Sequence, residues 1–244
     1  MTISVSSTST NWAATAERGV RRLAAVTWAG GLVGLLVGGV GGRLAMMVLA
    51  RLNPEAAGVT SDDGFTIGHL TPLTVNLLFV TTLLGVLGSG IYFVLRGLMV
   101  GPRWFQVLSI SLGPAVVVGG VLVHVEGVDF TLEPVWLAIV MFVAIPGIYA
   151  ALLTAIAERW LAPDRRFLAG NIWLALSPLV LWAPIAPALA VLVFVLVAFE
   201  AVRRTDTGRT LLAQPVWPWL ARAALVGLFV LSLVQLTRDT VALV

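Results

Sequence analysis

The stretch LAAVTWAGGLVGLLVGGVGGRLAMMVL, residues 23–49, decides the fold class of this chain. Arg43 is its only charged residue. About 20 apolar residues are enough for an α-helix to cross the hydrocarbon core of a bilayer, so the stretch predicts a transmembrane helix. Further apolar runs of similar length lie at 72–95, 104–123, 134–157 and 218–236. We therefore expect an all-α, polytopic transmembrane helical bundle.

The number of spans depends on residues 167–202, FLAGNIWLALSPLVLWAPIAPALAVLVFVLVAFEAV. As one helix, this segment would be about 54 Å long, whereas the hydrocarbon core is only about 30 Å thick. Pro184 and Pro187 would also interrupt a helix. Two short spans joined by a turn near 183–187 fit better. This hairpin brings the total to about seven spans.

Composition sets the class and excludes several chemistries. The 244 residues are 59% hydrophobic and 11% charged, far from the roughly 25% charged residues of soluble domains. The chain has no cysteine, which excludes disulfides and thiolate chemistry, and no lysine, which excludes Schiff bases. The formal charge of +3 points to anionic lipid headgroups rather than nucleic acid. We expect no cofactor.

The arginines orient the predicted spans. With seven spans and a cytoplasmic N-terminus, twelve of the fifteen arginines lie on the inner side, as the positive-inside rule requires. Residues 1–22 then form a short, mobile cytoplasmic tail, and residues 23–244 form a single transmembrane domain whose last span ends outside. The expected location is a bacterial plasma membrane.

Titratable residues gather on the predicted outer side, and they are the main lead to function. The group contains Glu55, Asp62, Asp63, His69, His124, Glu126, Asp129, Glu133 and Asp239, and Arg43 lies within the first span beneath it. A buried arginine needs an anionic partner or a structural role. Arg43 either tunes a neighbouring carboxylate or anchors the first outer loop to the bundle.

The adjacent carboxylates of Asp62 and Asp63 allow two interpretations. In a confined place, two neighbouring carboxylates cannot both ionise cheaply, and a raised carboxyl pKa suits a general acid. The alternative is a solvated Asp-Gly turn. A metal site formed by His69, His124 and these acids is not favoured, because no close ligand spacing is present. We expect no metal.

The aromatic residues also allow two interpretations. Tryptophans near span ends are typical of the interfacial belt, whereas aromatic faces inside a bundle would stabilise a cation. The candidate substrate-binding residues are Phe65, Phe130, Trp136, Phe142, Tyr149, Trp173 and Trp182. Gly30, Gly34, Gly38 and Gly42 recur every four residues, which predicts close helix packing.

Three stretches carry a resemblance: GGRLAMMVLA (41–50), TSDDGFTIGHLT (60–71) and VDFTLEPVWLAIVMFVAIPGIY (128–149). They resemble a broad group of small actinobacterial membrane proteins, a resemblance that implies no activity. In size, seven-span layout and edge carboxylates, the chain is also similar to the membrane-bound terpene cyclases of meroterpenoid pathways, including those acting on prenylated indoles. No diagnostic cyclase motif aligns, so no catalytic role is carried over.

The leading hypothesis is a protonation-initiated terpene cyclase acting on a lipophilic prenyl substrate. Asp63, Asp62 or Asp129 would be the acid, Arg43 and His69 would tune it, and a second group such as Glu133 or His124 would accept the final proton. The alternative is a non-enzymatic membrane subunit that binds a lipid or a partner. A small-solute transporter ranks third.

Overall fold

The computed structural model is mainly helical and describes residues 12–61, 66–162, 173, 176–214 and 216–244, with side chains from residue 16 onward. The described part contains no β-strand, only an isolated bridge between Thr60 and Thr66. Within the described ranges, six stretches are long and apolar enough to cross a membrane, which fits a multi-pass membrane protein. They are Ala16–Leu52, Pro72–Leu98, Arg103–Leu122, Val135–Trp160, Ser177–Arg204 and Val216–Leu243.

The first of these stretches is a continuous helix with a π-helical middle. It consists of α1 (Trp12–Val33), a π segment (Gly34–Gly41) and α2 (Gly42–Leu52). Helical structure therefore begins earlier than the predicted start at residue 23, and residues 12–22 of the predicted tail are helical. An ion pair between Arg21 and Glu17, one turn apart, supports this extension.

Three further long helices agree closely with the predicted spans. They are α3 (Pro72–Leu95), α4 (Arg103–Leu122) and α5 (Val135–Trp160), with short 3₁₀ turns at Pro54–Ala56, Arg96–Leu98 and Val128–Thr131. The boundaries follow from composition, because each apolar run ends at proline, glycine or charged residues that disfavour a longer helix. α1 packs against α3, and α4 packs against α5.

The predicted hairpin at 167–202 is described only in part, since residues 163–172, 174 and 175 lie outside the described residues. Ser177–Ile185 forms a 3₁₀ helix, followed by α6 (Ala186–Arg204) and α7 (Asp206–Leu212). The 3₁₀ helix becomes an α-helix at Ile185, within the predicted turn at 183–187. The described part of this segment is helical on both sides of that point.

The two ends of the bundle contain different clusters of buried apolar residues. At the proximal end, where α1 begins, Ala25 and Val26 cluster with Tyr92 and Leu161. At the distal end, where α2 finishes, Leu49 and Ala50 cluster with Ile67, Val123, Phe130, Leu132, Ala138 and Ile139. The distal cluster includes residues of the connections 53–71 and 123–134, so the described parts of both connections pack onto the bundle.

The last helix, α8 (Val216–Leu243), runs from the proximal to the distal end. Near its start, Arg222 Nε donates to the carbonyl of Leu98 at 3.0 Å. Near its end, Leu236 and Leu243 pack against the distal cluster. α8 lies against α4, and none of its residues is buried. Its remaining surface is therefore an exposed apolar face.

The predicted glycine stripe packs α1 and the π segment against α3. A Cβ atom at Gly34 would lie 2.5 Å from the Thr81 carbonyl oxygen and 2.8 Å from Gly85 Cα. Gly38 likewise faces Thr81. Gly42 departs from the stripe, because its nearest neighbour is Ile145 on α5. The wider turns of a π-helix shift the facing residues, which explains why the four-residue period stops there.

Candidate functional site

Arg43 anchors the first distal connection to the bundle. Only 5% of the residue is exposed, and both terminal nitrogens, Nη1 and Nη2, donate to the carbonyl oxygen of Thr66 at 3.1 Å. Nη1 also lies 3.9 Å from the sulfur of Met46. Within the described residues, Nε has no hydrogen-bond partner. This geometry is what the anchoring interpretation of Arg43 predicts.

A second anchor joins the two distal connections. The buried side chain of Asn53 accepts a hydrogen bond from the Glu133 amide at 2.9 Å and donates to the Glu133 carbonyl at 2.8 Å. It also donates to the carbonyl of Leu49 at 2.9 Å, which caps the end of α2. Asn53 was not among the predicted site residues. Its position at a helix end before Pro54 was the only sequence signal for it.

The predicted catalytic residues differ widely in exposure. Asp62 and Asp63 lie outside the described residues, as does the candidate substrate-binding residue Phe65. Asp129 is buried, with 4% of the residue exposed, and takes part in a polar interaction.

The remaining predicted catalytic residues, apart from Arg43, are exposed. His69, His124 and Glu133 all reach the surface. The His124 ring packs edge-on against Phe130, and its Nδ1 lies 2.9 Å from the Leu122 carbonyl oxygen. Among the described residues, no group of three or more histidine, aspartate or glutamate side chains could hold a metal ion.

Four of the candidate aromatic residues contribute to packing. Phe130 and Phe142 contact each other with ring centroids 5.2 Å apart. The Tyr149 hydroxyl donates to the Gly85 carbonyl at 2.6 Å and lies over Gly88. Trp182 is 1% exposed, and its Nε1 donates to the Thr27 hydroxyl at 2.9 Å.

Two other candidates point outward. Trp136 is 60% exposed and Trp173 is 79% exposed. An exposed tryptophan on a membrane-spanning bundle is typical of the interfacial belt, where the ring meets lipid headgroups. These two side chains therefore do not line the interior of the bundle.

A polar cluster at the proximal end was not predicted. The Tyr92 hydroxyl donates to Glu158 Oε1 at 2.6 Å, and Arg96 Nη2 lies 3.0 Å from the same oxygen and 3.2 Å from Oε2. The cluster joins the ends of α3 and α5. Glu158 was the available signal, since it is a carboxylate within the last turns of an otherwise apolar span.

Two adjoining cavities lie beside this cluster. One is a partly enclosed cleft of about 460 Å³ between the proximal ends of α3, α4 and α5, and Arg96, Arg103, Gln106, Thr154 and Glu158 contribute to its walls. The other is an open groove of about 610 Å³ along α4, lined by Arg103, Trp104, Val107, Leu108 and Ser111. Arg103 and Val107 belong to both cavities.

The chain matches no protein-family model, no curated protein and no solved structure in the three comparisons made with known proteins.

Proposed function

We propose that this chain crosses a bacterial plasma membrane an odd number of times, with α1 beginning on the cytoplasmic side and α8 ending outside. The course of the chain supports an odd number of spans. α5 ends and α8 begins at the proximal end, beside Leu161 and Arg222 respectively. The segment between residues 161 and 216 therefore starts and ends on the same side of the membrane. A hairpin meets this condition, whereas a single additional span does not.

Contacts around the predicted turn support the hairpin. Trp182 and Leu192 both lie within 3.5 Å of the position that a Cβ atom would take at Gly90. In a straight α-helix, ten residues would separate them by about 15 Å. A change of direction near Ile185, between the two side chains, brings both to the same glycine.

The topology can be tested by single-cysteine labelling, because the chain has no cysteine of its own. An impermeant maleimide added to intact cells is expected to label Val125→Cys and Val244→Cys, whereas Ala16→Cys and Thr207→Cys stay protected. Ala183→Cys is expected to stay protected as well, because the neighbouring Trp182 donates to Thr27 near the proximal end of α1. Equal labelling of Ala16→Cys and Val244→Cys would contradict the odd number, and labelling of Ala183→Cys would show that the turn reaches the outer face.

For the biochemical role, we propose a non-enzymatic membrane protein that binds a lipid. This proposal rests on where the candidate aromatic side chains lie and what they contact. Tyr149 and Trp182 form hydrogen bonds within the helix packing, while Trp136 and Trp173 are exposed. A cyclase would instead need aromatic faces turned toward an enclosed substrate. The cavities beside α4 are open to the surroundings of the bundle and suit a lipid.

Product analysis separates this proposal from the cyclase hypothesis. Membranes containing the wild type or Asp129→Asn would be incubated with farnesylated aromatic substrates, and purified protein would be analysed for retained lipid. We expect bound lipid and no cyclised product in both samples. A cyclised product that disappears with Asp129→Asn would overturn the binding proposal in favour of the cyclase. Purified protein free of lipid would also overturn it.

A further inference from the structure

We propose that the proximal cleft and the α4 groove together form a binding site for one anionic phospholipid. The phosphate and the anionic headgroup would lie in the cleft between Arg96 and Arg103, and an acyl chain would follow the groove along α4. This inference rests on the proposed lipid-binding function and gives it a location and a ligand class.

The cleft has the charge and the size for an anionic headgroup. Its walls carry two arginines and one glutamate, and Glu158 already accepts hydrogen bonds from Tyr92 and Arg96. Arg103 takes part in none of the ion pairs among the described residues, so its charge is available to a ligand. The volume of about 460 Å³ falls within the range of about 300–1,000 Å³ that is typical of ligand pockets.

Neutral polar groups of the cleft fit the same ligand. Gln106 lies on its wall and donates to the carbonyl of Gly101 at 2.9 Å. The cleft also lies beside the first turn of α4, whose free amide groups favour an anion at that position. Because Glu158 is already paired with Arg96, the remaining net charge of the cleft is positive. A phosphodiester with a further anionic or polar headgroup is therefore favoured over a zwitterion.

The groove supplies the second half of the site. It is lined mainly by apolar side chains, and it starts at Arg103 and extends to Ser111, two turns along α4. Trp104 is 68% exposed and Leu108 is 47% exposed, so the groove opens sideways from the bundle. In a bilayer, the hydrocarbon chains occupy that position. A ligand shared by both cavities must therefore carry a charged head and an apolar tail.

Binding to purified full-length protein can be measured by native mass spectrometry. The probes are phosphatidylglycerol, phosphatidylcholine with the same acyl chains, and glycerol 3-phosphate, a phosphate without a tail. The variants are Arg103→Gln, which removes the available charge, and Val107→Trp, which fills the groove. Arg159→Gln is the matched control, because it removes an exposed proximal arginine that lines neither cavity.

The wild type is expected to prefer phosphatidylglycerol and to retain no glycerol 3-phosphate. Arg103→Gln should weaken that preference about fivefold, the factor equal to about 1 kcal/mol per basic side chain at a membrane surface. Val107→Trp should weaken the binding of both lipids, and Arg159→Gln should bind them as the wild type does.

Three results would overturn the site. The first is an unchanged preference in Arg103→Gln, the second is an equal loss in Arg159→Gln, and the third is binding of glycerol 3-phosphate as tight as that of the lipid. If the wild type still retains lipid in these cases, the site fails and the proposed function stands. A wild type that retains neither lipid contradicts both.

Discussion

At the scale of single residues, Arg43 is expected to control the order of the connection 53–71. Arg43→Met removes two charge-assisted hydrogen bonds to the Thr66 carbonyl, which are worth about 1.5–3 kcal/mol when donor or acceptor is charged. Hydrogen exchange at the amide of Ile67, which bonds to Val59, should accelerate more than tenfold. Arg51→Met is the control, since Arg51 is exposed on the last turn of α2. Equal exchange in both variants would refute the anchoring role.

Asn53 leads to a separate prediction about the joint between the two distal connections. Asn53→Ala loses both hydrogen bonds to the Glu133 backbone and the third one to the Leu49 carbonyl. Unfolding in detergent should require about 3 kcal/mol less free energy, at about 1 kcal/mol for each of these bonds. Asn76→Ala, an exposed asparagine on α3, should leave the thermal transition unchanged. The prediction fails if the two variants unfold at the same temperature.

At the scale of elements, some helix bounds could be predicted from the sequence, whereas the π segment and the long-range contacts could not. The bounds of α3 match the predicted span because Pro72 and Arg96 flank a sharply apolar run. The π segment could not be predicted, because its glycines permit several backbone geometries and packing on α3 selects among them. Asn53 and Glu158 were missed for the same reason. Their partners lie far away in the sequence, so no local sequence pattern indicates the contact.

The close approach of α1 to α3 gives a prediction at this scale. A Cβ atom at Gly85 would collide with the Gly30 carbonyl oxygen and would lie 2.7 Å from Gly34 Cα. Both neighbours are backbone, so the helices must separate. Gly85→Ala should therefore destabilise the protein by about 1–3 kcal/mol, the usual cost of overpacking. Gly227→Ala on α8, where nothing lies within 4 Å, serves as the control and should not destabilise. Equal melting temperatures would refute the tight contact.

At the scale of the whole molecule, the apolar surface and the local pairing of the charges both fit a bundle that is surrounded by hydrocarbon. None of the residues described in α6 and α8 is buried, although both helices are strongly apolar. Such a surface is stable only when hydrocarbon or protein covers it. The four ion pairs described other than that of Arg96 join residues within one turn of a helix, in Glu17–Arg21, Glu200–Arg203, Glu200–Arg204 and Asp206–Arg209. Among the described residues, packing of small side chains therefore contributes more to helix association than ion pairs between helices.

The membrane-facing surface of α8 leads to the last prediction. Leu231 lies near the middle of this helix and is 71% exposed. If lipid covers it, Leu231→Arg places a cation near the bilayer centre, at a cost of about 2.5–3.5 kcal/mol. The amount of protein in the membrane fraction should then fall severalfold. Val244→Arg is the control, because Val244 is 86% exposed at the distal end of the same helix and its charge would reach water. Equal membrane yields for the two variants would mean that α8 faces water or a polar partner, since a helix covered by hydrocarbon must distinguish its centre from its end.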